Sequence, residues 1–153
     1  GQYEEGLRLF LREQYNITQE YFKEKGVTHV TLARGSIHRD VDKFSPDTLW
    51  DNTIHQDGLK LQPMSSFSSD YEKALGFATR SSCYGMVTMV RVPVEDIVGT
   101  GLTGFGTDYE SEMVVLARNN WEAYHIGQPP GHKTFLKKDE FLKGILKVAG
   151  GGN

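Results

Sequence analysis

The chain is poor in the features that assign many proteins to a compartment or a cofactor at sight. It has one cysteine, Cys83, among 153 residues. A single cysteine cannot close an internal disulfide, so nothing here requires an oxidising compartment. No apolar run approaches the roughly 20 residues that span a bilayer. No signal peptide is visible at the N-terminus, where charges are interleaved from Glu4 onward. There is no dense Lys/Arg run, and the net charge is −3. The bulk field therefore argues against a nucleic-acid partner. His29, His38, His55, His125 and His132 show no metal-ligand spacing, so no metal is expected. There is no Walker loop. Gly104-Phe105-Gly106 is not a dinucleotide fingerprint, because the third glycine is missing and a strand follows where a helix is required.

What is present fits a soluble globular chain, 38% hydrophobic and 24% charged. No repeat and no shift of composition marks a second domain. One domain over residues 1–149 is expected, with a helical part over 1–26 and a flexible tail at 150–153. Leu7, Phe10, Leu11, Ile17, Tyr21 and Phe22 recur at helical spacing over 3–25. Asn16-Ile17-Thr18 could divide that helix, since Thr18 can cap a second one, and Gly26 is a C-cap candidate. Val27 to Arg34 reads as a strand ended by Gly35. Residues 36–63 read as turn-rich, with a helix start at Ser45-Pro46-Asp47 and a turn at Asp57-Gly58. Ser69-Asp70-Tyr71-Glu72 matches a capping box, with Ser69 as cap, for an amphipathic helix to about Arg80. Met86 to Val92, Glu110 to Ala117 and Trp121 to Ile126 read as strands. Residues 99–108 form a glycine-rich loop, and 133–148 a terminal helix.

Three short motifs could carry chemistry. Arg34, at a strand end before Gly35, can offer its planar fork to a phosphate while the glycine admits a ligand to the backbone. The alternative is a plain surface arginine. Ser66 and Ser68 lie two apart in an extended segment and can face one cleft, although serines there could also serve only to cap the helix. Glu110 and Glu112 share a strand face with Val114 and Leu116, which puts the pair at the mouth of a buried face. The loop before them carries Phe105 and Tyr109. It reads equally as a substrate-contacting arm or as a hairpin connection.

Taken in order, the motifs resemble those of the mono-ADP-ribosyltransferases of the Arg-Ser-Glu, cholera-toxin-like class, which includes bacterial and phage effectors. The matching stretches are Leu32-Ala33-Arg34-Gly35, then Ser66-Phe67-Ser68 with Ala74, Phe77 and Ala78 following, then Glu110-Ser111-Glu112. The resemblance covers residues 27 to 118. It implies an α+β fold, a split β-sandwich preceded by helices, and NAD as the donor. It implies that Arg34 holds the NAD phosphates, that Ser66 orients Glu112, and that Glu112 stabilises the cation formed as nicotinamide leaves. Gly35, Ser68 and Phe77 would complete the NAD site. Glu110, Phe105 and Tyr109 would meet the acceptor, a protein arginine. A toxin role, with delivery into a target cell, follows from the resemblance alone.

Overall fold

A long helix, α1 (Gln2–Lys25), opens the computed structural model of the chain, which describes residues 1–38, 54–59, 64–80, 83–101, 112–116, 121–128 and 135–150. The helix does not break at Asn16–Thr18. Thr18 turns inward and is fully buried, so it serves the interior of one helix rather than the start of a second. The second half of α1 is tied down by Gln19, whose Nε2 donates to the Val94 and Ile97 carbonyls at 2.8 and 3.1 Å. The Tyr15 hydroxyl donates to the Glu95 carbonyl at 2.8 Å. Gly26 ends the helix at φ 68°, the left-handed geometry that favours glycine.

The remaining elements are β1 (His29–His38), β2 (Ile54–Leu59), β3 (Met64–Ser68), α2 (Tyr71–Ala78), β4 (Tyr84–Pro93), β5 (Ile97–Thr100), β6 (Glu112–Leu116), β7 (Trp121–Gln128) and α3 (Lys138–Ala149). A 3₁₀ turn, Val94–Asp96, joins β4 to β5. The class is α+β. The strands form one sheet in the order β2-β7-β4-β1-β3-β6-β5, and every pairing is antiparallel.

Several boundaries differ from the sequence expectation. Gly35 does not end β1; the ladder with β4 runs on to His38 opposite Tyr84. Asp57-Gly58 is no turn, because both residues lie inside β2, opposite Ala123 and Glu122 of β7. Residues 99 and 100 belong to β5 rather than to a loop, paired with Val114 and Met113. The cap of α2 is Asp70, not Ser69: the Asp70 carboxylate accepts from the Glu72 N–H at 3.0 Å. That helix ends at Ala78. The helix start at Ser45-Pro46-Asp47 lies outside the described residues.

Alternation along β1 sends side chains into two cores. Leu32 joins Phe22, Phe67, Val90, Val115 and Trp121 on one face. Ala33 joins Val87, Ile126, Tyr71, Ala74 and Phe141 on the other, under α2 and α3. The first core also holds Asp96, buried and accepting from Trp121 Nε1 at 2.9 Å. On the second, the Tyr71 hydroxyl donates to the Leu136 carbonyl at 2.7 Å, and burial, with Glu72 and Glu140 nearby, pushes its phenol pKa up. Among the described residues no helix is long and apolar enough to cross a membrane.

Candidate active site

The two edges of β1 are unlike each other. Along one edge it pairs with β4 from His29 opposite Pro93 to His38 opposite Tyr84. Along the other it meets β3 in register only at Ala33 opposite Ser68. From that bridge β3 continues antiparallel through Phe67 and Ser66, yet without further pairing to β1. The strands part, and a wedge opens between Arg34-Gly35 on one lip and Ser66-Phe67 on the other. The wedge is the base of a cleft of about 480 Å³.

On the far side β3 is fully laddered to β6, with Ser68 opposite Glu112 and Ser66 opposite Val114. Opposed residues of an antiparallel pair project to one face. Ala33, Ser68 and Glu112 therefore form a row across three strands, beneath α2. Arg34, Gly35, Ser66, Ser68, Phe77 and Glu112 all line the cleft. These are the site residues expected from the sequence that fall among the described ones. Glu110, Phe105 and Tyr109 lie outside the described residues.

Each side chain has a local reason for its place. Glu112 opens β6 and is half-buried, while Val114 behind it is buried. The strand face thus runs from a carboxylate at the rim to aliphatic core. Ser66 is exposed to the cleft. Ser68 has a second duty, since its Oγ accepts the Asp70 N–H at 2.9 Å and turns the chain into α2. Phe77, in the second turn of α2, is 44% exposed with the Arg80 guanidinium 5.0 Å from its ring. Arg34 is exposed, and its guanidinium lies 5.9 Å from the Phe67 ring, within range of a cation–π contact.

Gly35 has a firmer reason than ligand approach. A Cβ there would stand 2.0 Å from the Ala74 carbonyl oxygen and 2.9 Å from the Ala78 nitrogen. Gly85 on β4 meets the Ala78 carbonyl in the same way, at 2.1 Å. The two glycines let the α2 backbone lie directly on the sheet, which brings Phe77 and Lys73 over the cleft. Past Arg34, the same β1 face carries Ser36 and His38, whose Oγ and Nε2 are 3.1 Å apart. The His38 ring lies edge-on to Tyr84 at 6.4 Å, and burial lowers its pKa.

Ala33, Phe67 and Ala74, which stood in the motif stretches without a role of their own, also line the cleft, as does Lys73, which sequence reasoning passed over. Phe67 points away from Ser66 and Ser68, into the first core, and shares a face with Arg34, which the register set at Ala33 and Ser68 places across from it. Lys73 left a faint signal, a cation in the first turn of a helix, where carboxylates are favoured.

Chemically the arrangement offers cations, hydroxyls and a carboxylate around an aromatic ring. It can bind an anionic ligand and hold negative charge beside a reacting centre. Compared with known protein families, curated proteins and solved structures, the chain matches none.

Proposed function

We propose that the protein is a mono-ADP-ribosyltransferase that moves ADP-ribose from NAD to a protein arginine, and that its parted sheet is the split β-sandwich of that class. One observation carries the reading. Arg34, Ser66 and Glu112, separated by more than thirty residues at each step of the sequence, line a single cleft at the point where β1 and β3 separate.

The chemistry suits these groups. The bond from nicotinamide nitrogen to ribose C1′ breaks with its electron pair leaving on nicotinamide, and the ribose becomes an oxocarbenium-like cation. Glu112, fixed at the head of β6, stabilises that cation more than it stabilises the ground state. Arg34 binds the donor phosphates through its planar fork. Ser66 orients Glu112. An arginine nitrogen then bonds to C1′ and gives its proton to Glu110. Guanidinium is protonated up to about pH 12, so it needs such a carboxylate to become nucleophilic.

The test is incubation with labelled NAD and a cell lysate. Wild type should label protein and release nicotinamide. Glu112→Ala should lose about 1,000-fold or more in transfer. Glu110→Ala should lose transfer yet keep part of the NAD hydrolysis. Nicotinamide release without label would favour water as acceptor, and full transfer by both variants would overturn the reading.

A further inference from the structure

We infer that a groove beside α3 is a docking site for the acceptor protein, and that it takes an amphipathic helix of that protein. The inference rests on the transferase reading and gives it a second contact with the acceptor, away from the reacting atoms.

The groove has a volume of about 680 Å³ and lies on the face of the sheet that carries Ser68 and Glu112. The ladders connect the two places. Glu112 stands opposite Ser68, Ser68 opposite Ala33, Ala33 opposite Met89 and Met89 opposite Tyr124. Ala33 lines the cleft, whereas Met89 and Tyr124 line the groove. Opposed residues project to one face and strands lie about 4.8 Å apart, so Met89 is about 14 Å from Glu112 along the row. Tyr71 and Ala74 share a core with Ala33, so α2 stands between cleft and groove. A macromolecule can engage both by crossing α2, and a small acceptor cannot.

The build of the groove points to a helix. α3 rests toward β2, and its other flank presents Leu142, Ile145, Leu146 and Ala149. Their i, i+3, i+4, i+7 spacing makes an apolar ridge against which a second helix can pack its own. Leu146 is 73% exposed. Arg91 of β4 and Glu122 of β7 also line the groove, and both are exposed. A small-molecule pocket buries its few polar groups to fix orientation; an apolar centre inside an exposed polar rim is the anatomy of a protein interface. The rim also sets the charge of the partner. Val90 opposes Ala123, and the next step of that register sets Arg91 across from Glu122, with Cβ atoms about 5 Å apart. Helix residues four apart have nearly the same separation. An acid and a base at i, i+4 on the incoming helix would meet Arg91 and Glu122.

The experiment compares wild type, Leu146→Glu and Arg91→Glu with labelled NAD and two acceptors. One is the lysate protein that takes most label, identified by mass spectrometry and purified. The other is agmatine, a small guanidine that can enter the cleft without touching the groove. Leu146→Glu should raise KM for the protein about tenfold or more, and Arg91→Glu about threefold, with kcat held within about twofold. Transfer to agmatine should stay within about twofold of wild type in both variants. Both melting temperatures should stay within about 2 °C of wild type, because the two side chains are exposed. An unchanged KM for the protein in Leu146→Glu overturns the docking site and leaves the transferase reading standing. Equal losses for protein and agmatine place the effect in the cleft and overturn it as well. A wild type that sediments as a dimer beside a monomeric Leu146→Glu gives the groove to a second copy of the chain instead. Label on agmatine and on no protein also overturns the docking site alone, and transfer to neither acceptor overturns the transferase reading with it.

Discussion

The β4 edge of β1 and its β3 edge are made by the same ten residues and serve opposite ends. Toward β4 each residue of the strand has a partner in register. That side is backed by β7 and, on one face, by α2 and α3. Toward β3 there is one bridge, and beyond it the backbone groups turn to a cleft. A closed ladder satisfies backbone donors and acceptors within the sheet, whereas a parted one leaves backbone groups open to the cleft. Every described candidate residue lines the cleft on this side, from β1, β3, β6 and α2.

Substitutions can test that division, and the largest effect should come where the two edges share a support. Gly35→Val would drive a branched side chain into the Ala74 carbonyl and lift α2 from the sheet. It should cost about 4 kcal/mol or more in urea unfolding and abolish NAD binding together with stability. If Gly35→Val unfolded like wild type, the seating of α2 on β1 would be wrong.

A sharper contrast sets Ile126→Ala against Ser66→Ala. Ile126 is fully buried on β7, on the closed side. Its truncation should cost about 3 kcal/mol of stability while KM for NAD is retained at temperatures where the protein is folded. Ser66→Ala should change stability by less than about 0.5 kcal/mol and yet impair transfer. Parallel losses of stability and activity in both variants would erase the distinction between the edges.

The smallest effect concerns pH. His38, at the far end of β1, has a pKa lowered by burial from its ordinary 6.5. Above 6.5 it is neutral in both folded and unfolded chains and contributes no slope. As pH falls below 6.5 the unfolded chain takes up the proton first, so stability declines until the folded group also titrates. Unfolding free energy should therefore fall between pH 7 and pH 5 by more in wild type than in His38→Asn. Equal slopes would mean that the end of β1 is as open as the cleft.

Much of this was legible in the sequence, and the failures are instructive. The apolar run of β4, the helical spacing of α1 and the Gly26 cap were readable because each depends on neighbours along the chain. Gly35 and Asp57-Gly58 misled, since a glycine can mean a turn or a close approach, and only the partner decides. At Gly35 that partner is α2; at Asp57-Gly58 the ladder to β7 overrides the local turn preference. Ser69 and Asp70 were equally good caps by type, and backbone direction chose Asp70. Within the site, Arg34, Ser66 and Glu112 could be named because motif order is a property of sequence. Lys73 could not, and Phe67 had no role of its own there, because their relevance comes from facing another element across space.

The sequence by itself determined the α+β pattern of helices and strands and the types of charged and hydroxyl groups available. Period and propensity act over a few residues, and those signals are local. Only the tertiary structure decided that β1 and β3 meet at one pair of residues and then diverge, and that α2 rests on two glycines above the gap. Pairing between strands so far apart in the chain depends on how whole faces pack, and no local pattern encodes where such a ladder stops.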